Sequence, residues 1–132
     1  MDAALDLRVR VFCGEQGVSR ESELDPYDDR AVHMIGVDDD GTVIATCRLL
    51  LFDDGECRLG RMVVEAERRG DGVGRDLLAA AQAEAASRGA REIVLHAQTQ
   101  AEPFYAGAGY APEGNRFIEE GIEHIQMRKE IS

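Results

Sequence analysis

The chain has 132 residues, 44% of them hydrophobic, and its 26 acidic against 15 basic side chains give a net charge of −11. That length suits one domain with a real core, and no apolar stretch approaches the ~20 residues of a membrane helix. An acidic field of this size opposes nonspecific nucleic-acid binding.

Met1 is followed at once by Asp2, with no basic start and no apolar h-region. No signal peptide is expected, no membrane is a partner, and the default location is cytoplasmic. Fourteen of the basic residues are Arg, and Lys129 is the only lysine. Acid-rich, lysine-poor surfaces suit concentrated salt, where charges are screened within ~3 Å at 1 M. A halophilic source is the expectation. A high-GC genome would explain the Arg bias but not the acid excess. Cys13, Cys47 and Cys57 match no metal or redox spacing, so they read as reduced, buried, small hydrophobes.

Residues 3–13 read as a helix, with Asp2 as cap and Leu5, Val9 and Phe12 at helical spacing. Gly14 and Gly17 end it, and a polar loop with an Asp25-Pro26 turn follows. A strand is expected over residues 32–37, then a hairpin turn at Asp38-Asp39-Asp40-Gly41 and a β-branched strand over 42–51. A second turn at Asp53-Asp54-Gly55 leads to a third strand over 57–64. The period then becomes helical: Val73, Leu77, Ala81 and Ala85 form one apolar stripe, stopped at Gly89. Residues 92–97 read as a strand buried on both faces. Residues 102–107 read as a short helix with Pro103 in its first turn. Two final strands are expected near 110–112 and 122–129. One α/β domain with a mixed sheet, spanning residues 1–132, is the expected architecture.

The most informative segment is Arg68-Arg69-Gly70-Asp71-Gly72-Val73-Gly74-Arg75, between a strand and the long helix. Glycines let backbone N–H groups converge on one point. The helix N-terminus adds about half a positive charge, which makes an anion site suited to a pyrophosphate. A P-loop would need Gly-Lys-Ser/Thr, which is absent. The dinucleotide fingerprint would need Gly at the position of Arg75. The bland alternative is a glycine-rich turn with solvated arginines.

Arg69-x-x-Gly72-x-Gly74 is similar to the Q/R-x-x-G-x-G/A signature of the GNAT (general N-acetyltransferase) superfamily. The preceding Arg61-Met62-Val63-Val64 fits as well. Phe104-Tyr105-Ala106-Gly107-Ala108-Gly109-Tyr110 looks like that family's F-Y-x-x-x-G-F segment. Three further stretches resemble the ElaA-like branch: the opening from Arg10 through Phe12, Glu15 and Gln16 to Val18, Leu95-His96-Ala97-Gln98, and Gly121-Ile122-Glu123-His124-Ile125-Gln126-Met127.

The resemblance implies a GNAT-like mixed, mostly antiparallel sheet flanked by helices, apparently without the usual first strand. It implies acetyl-CoA as acyl donor, its pantetheine arm along Met62, Val63 and Val64. Its pyrophosphate would lie on Arg68, Arg69, Gly70, Asp71, Gly72, Val73, Gly74 and Arg75, with Phe104 beside it. Two departures stand out: Asp71 puts a carboxylate in the anion loop, and Arg58 stands where some members carry a glutamate base.

The implied chemistry is attack of a primary amine on a thioester. It needs a neutral amine, a polarised carbonyl and a stabilised leaving thiolate. A backbone N–H near Met62–Val64 matches the polarising donor, and Tyr105 matches the general acid. For the base the candidates stay open: His96, Glu15 and, more weakly, His124 and Glu119. Each also reads as an ordinary hydrogen-bonded residue. His33, His96 and His124 fall on separate strands, so no metal is expected.

The acidic field favours a cationic acceptor, a small-molecule or peptide amine. Edge strands and the C-terminal strand offer surfaces for a homodimer. The rival readings are a non-catalytic acyl-CoA-binding module of the same fold, an acyl-homoserine-lactone-type synthase and a structural dimer module.

Overall fold

The computed structural model describes residues 8–13, 31–52, 54–65 and 72–131, with only the backbone of Phe12 and Cys13. Seven strands form one sheet in the order β1-β2-β3-β4-β5-β7-β6. They are β1 (Arg8–Cys13), β2 (Val32–Val37), β3 (Val43–Leu51), β4 (Glu56–Val64), β5 (Glu92–Gln98), β6 (Ala111–Glu119) and β7 (Ile122–Glu130). Two helices, α1 (Val73–Ser87) and α2 (Glu102–Gly107), lie in the two crossings that flank β5. The β4–β5 pairing is parallel and every other pairing is antiparallel. This is a mixed, mostly antiparallel α/β sheet.

The β2–β3 hairpin closes where Asp38 was expected to turn the chain. Its Oδ1 accepts from the backbone N–H of Asp40 and of Thr42, both at 3.1 Å. The α1 stripe is fully buried: Val73, Leu77, Ala81 and Ala85 are each 0% exposed. They pack with Met34, Leu49, Cys57, Ile93 and Met127 in one core. Each buried Leu contributes about 1.5–3 kcal/mol. Gly89, at φ +96°, takes the left-handed conformation that ends the helix, and Ala90 N–H bonds back to the Ala85 carbonyl.

Three expectations are corrected. Residues 8–13 form strand β1, antiparallel to β2, instead of the end of an opening helix. The alternation Arg8-Val9-Arg10-Val11 accounts for this. Arg8 and Arg10 are exposed while Val9 packs on the core, and β-branched Val9 and Val11 suit a pleated edge. A strand therefore stands ahead of β2, where none was expected; the rest of the predicted helix lies outside the described residues. β6 extends to Glu119, well past residue 112, with a register shift between Glu113 and Phe117 and Gly114 at φ +79°. Finally, β5 is buried on both faces only at Ile93, Val94 and Leu95; His96 is exposed.

Candidate acyl-CoA cleft

β4 and β5 pair only from Glu56↔Glu92 to Leu59↔Leu95. Beyond that point β5 remains bonded to β7 on its other side, so the sheet splits between β4 and β5. A second irregularity coincides with the split. Thr46 pairs with Val63 and Arg48 with Gly60, which leaves Arg61 and Met62 opposite Cys47. Arg61 has φ +55°. This is a β-bulge, which bends a strand and re-aims its backbone groups. Beyond Leu59 this edge of β4 is not paired with β5.

The split opens into a cleft of about 850 Å³. Met62, Val63, Val64, Gly72, Gly74, Arg75, Phe104 and Tyr105 line it. Gly72 is the N-cap residue of α1, at φ +88°, and no described side chain caps the helix start. The first-turn backbone N–H groups of α1 have no partner within the helix itself. A Cβ on Gly74 would stand 3.4 Å from both the Phe104 ring and a Val64 methyl, so glycine keeps the floor of the cleft low. Arg75 is exposed, with Asp76 at 3.9 Å. Val73 is in the core, so only its backbone faces the helix start. Arg68, Arg69, Gly70, Asp71 and Glu15 lie outside the described residues.

α2 sets Tyr105 between Phe104 and Tyr110, edge-on to both at 4.9 and 5.9 Å. Tyr105 is 8% exposed. Burial, with a smaller effect of the neighbouring Cys47, pushes its phenol up to about 12. The end of α2 is fastened by Lys129, whose Nζ donates to the Ala108 carbonyl at 2.8 Å and sits over the Tyr110 ring. The Tyr110 hydroxyl donates to Gln82 on α1 at 2.9 Å.

His96 is the first β5 residue past the last β4–β5 pair, on the face away from α1, and its side chain is not among those lining the cleft. Its Nδ1 faces Glu119 Oε1 at 3.1 Å and its Nε2 faces Gln126 Oε1 at 3.3 Å. Gln126 is oriented by its own Nε2, which donates to Glu113 Oε2. Glu113 in turn accepts from Arg128, which holds its carboxyl below the usual carboxylate range. Two oxygen acceptors flank the His96 ring. Both contacts fix the orientation of the ring.

His124 is buried, with Nδ1 against the Ile122 carbonyl at 2.7 Å and its ring stacked on Phe117. Arg58 is paired with Glu56 at 3.2 Å on the fully paired part of β4. Among the described residues no cluster of His, Cys, Asp and Glu is placed to hold a metal, and no helix is long and apolar enough to cross a membrane.

Leu78, Gln98, Ala101, Gly107 and Ala108 also line the cleft and were not singled out as site residues from the sequence. They are set there by helix and strand phase. The bulge at Arg61 is equally silent, because neither Arg61 nor Met62 is a residue that favours positive φ.

The acetyltransferase (GNAT) domain family matches residues 7–131. The chain is 36% identical over 128 residues to YjcF of Bacillus subtilis, an uncharacterized N-acetyltransferase; the match covers 96% of this chain and 90% of that one. A solved structure of a candidate N-acetyltransferase from Lactobacillus plantarum superposes with TM-score 0.81 at 26% identity, covering 96% of this chain and 99% of that one. ElaA of Escherichia coli superposes with TM-score 0.74 at 20% identity, covering 95% and 99%. This chain belongs to the GNAT acetyltransferase family.

Proposed function

We propose that this protein transfers an acyl group, acetyl in the first instance, from coenzyme A to a primary amine. The observation that carries this reading is the convergence of three features on one cleft: the β4 edge that parts from β5, the glycine-led start of α1 and the Tyr105 phenol. The residues present fit the donor. Extended backbone at 60–64 suits the amide-bearing pantetheine arm, and the first turn of α1 suits a pyrophosphate.

The residues divide the work. A backbone N–H at the bulge, near Met62, polarises the thioester carbonyl and stabilises the oxyanion as the amine adds. The C–N bond forms, the C–S bond breaks, and the sulfur leaves toward Tyr105. A phenol raised to about 12 is protonated at every physiological pH. It also holds its proton more tightly than a thiolate with a pKa near 8.5 would take it. Tyr105 therefore acts as a fixed hydrogen-bond donor to the developing thiolate. The cleft residues bring amine and thioester together in one ternary complex.

The test is calorimetric unfolding with and without acetyl-CoA, paired with turnover of Tyr105→Phe. At a hundredfold excess over Kd, native-state binding stabilises the fold by about 2.7 kcal/mol. The shift is expected with acetyl-CoA and free CoA, but not with NAD or ATP. Tyr105→Phe should keep that shift and lose about a hundredfold in kcat. No shift with saturating acetyl-CoA would remove the acyl-CoA reading. Turnover unchanged in Tyr105→Phe would remove the tyrosine from the chemistry, and binding without turnover by the wild type would favour a non-catalytic acyl-CoA-binding module.

A further inference from the structure

Fourteen of the 15 basic residues are arginine, and the one lysine is Lys129. It stands half-buried near the end of β7, on the sheet face that also carries Ile125 and Met127. Its Nζ donates to the Ala108 carbonyl at 2.8 Å and to Gln82 Oε1 on α1 at 3.4 Å, and it sits 5.7 Å from the centre of the Tyr110 ring. Gly109 closes over the same side chain. A Cβ there would stand 3.1 Å from Cε of Lys129 and 3.3 Å from its Nζ, and the backbone is at φ +100°. The space around the ammonium is therefore tight on the Gly109 side. A compact ammonium suits that gap, whereas a guanidinium is broader and planar.

These contacts hold a helix with little stability of its own. α2 has six residues, well short of the ~12–15 at which an isolated helix becomes even marginal. Its place is set by what grips its ends. At the start, Arg116 Nη2 donates to Glu102 Oε1 at 3.1 Å. At the end, the last carbonyls have no partner within the helix, and a cation there also complements the helix dipole. Ala108 is the C-cap residue, and its carbonyl is the one Lys129 holds. The same turn is tied to Tyr105. Ala108 and Tyr110 each donate a backbone N–H to the Tyr105 carbonyl at 3.0 Å, and the Tyr110 ring lies edge-on to Tyr105 at 5.9 Å. The Tyr110 hydroxyl donates to the Gln82 oxygen that Lys129 also contacts. A shift of residues 108–110 is thus passed to Tyr105 through two hydrogen bonds and one ring contact.

We propose that Lys129 is a positioning residue: by clamping the end of α2 to β7 and α1, it fixes where the Tyr105 hydroxyl stands in the cleft. This rests on the acyl-transfer reading above. Lys129 is outside the set of described residues that line the cleft, so its effect on the chemistry passes through Tyr105. A misplacement of about 1 Å at the reacting atoms costs up to about a hundredfold in rate, which is the scale on which such a clamp matters.

The experiment compares wild type, Lys129→Met and Lys129→Arg, each with Tyr105 intact and in the Tyr105→Phe background. It follows release of CoA thiol from acetyl-CoA, with n-propylamine and spermidine as probe amines. Lys129→Met should lower kcat by about tenfold or more, with the Kd for acetyl-CoA unchanged. In the Tyr105→Phe background the same substitution should change kcat by less than about twofold, because the group it positions is gone. Lys129→Arg keeps the charge and carries the same comparison should Lys129→Met not fold; its broader head should still lower kcat, by about threefold or more. A second readout needs no turnover. The Tyr105 ring resonances, assigned by their loss in Tyr105→Phe, should move in both Lys129 variants while the methyl resonances of Leu77 in the core stay in place. A general loosening of the fold would move both. Wild-type kcat in Lys129→Met or Lys129→Arg, an equal loss in the two backgrounds, or an unmoved Tyr105 resonance would each overturn the proposal. Failure of the wild type to bind acetyl-CoA is a different result, read directly by calorimetry, and it would sink the acyl-transfer reading itself. The tyrosine resonances test the clamp whether or not either probe amine is turned over.

Discussion

Cys47 and Cys57 stand on neighbouring strands, both free and both buried. They match the small hydrophobic role expected from their isolated spacing, and their environment gives them a measurable consequence. Burial first, then nearby negative groups, pushes both thiols from 9.0 up to about 12. The unfolded chain loses these protons near pH 9, whereas the folded chain keeps them. Their contribution to stability is therefore complete below pH 9 and is lost as pH rises toward 12. The melting temperature should fall steadily above pH 9, and a Cys47→Ala/Cys57→Ala double variant should fall less steeply, whatever its starting value. Parallel slopes in the two proteins would show that the thiols do not carry the effect. Tyr105 was legible at this scale too, through its motif. His96 was legible as a residue but not as an arrangement, because its partners Glu119 and Gln126 come from strands 23 and 30 residues away.

Among the elements, α1 was the easiest to read. Four apolar side chains at helical spacing define one face, and that face meets β3. Leu77 lies at its centre, 0% exposed. Leu77→Ala should destabilise the protein by about 2–5 kcal/mol, because the core around a rigid sheet cannot collapse into the vacated volume. Denaturant unfolding with an unchanged m-value would report this, and a loss below about 1 kcal/mol would mean that the packing is looser than the structure shows. The turns at Asp38 and Gly55 were equally clear from their residues. Two elements were not. β1 carries both a helical and an alternating pattern, and pairing with β2 decides between them. β6 contains Pro112, Gly114 and Asn115, which discourage a strand locally, yet pairing with β7 draws them into one.

For the molecule as a whole, charge is the dominant sequence-level fact. A net charge of −11 on 132 residues means mutual repulsion across the surface. The described ion pairs are mostly exposed and contribute at most about 1 kcal/mol each. Raising KCl from 0.05 to 2 M, a range over which the Debye length falls to a few Å, should therefore raise the melting temperature. A flat or falling curve would remove the halophilic interpretation of the composition.

Composition, periodicity and motif order by themselves determined the α/β class, the strand meander, the long helix and the family. All of these depend on interactions within about twenty residues of chain, or on side-chain identity. The tertiary structure alone decided where the sheet splits, where β4 bulges and which partners hold His96. Those features arise from pairing between strands far apart in sequence, where a single residue's register changes what a side chain faces.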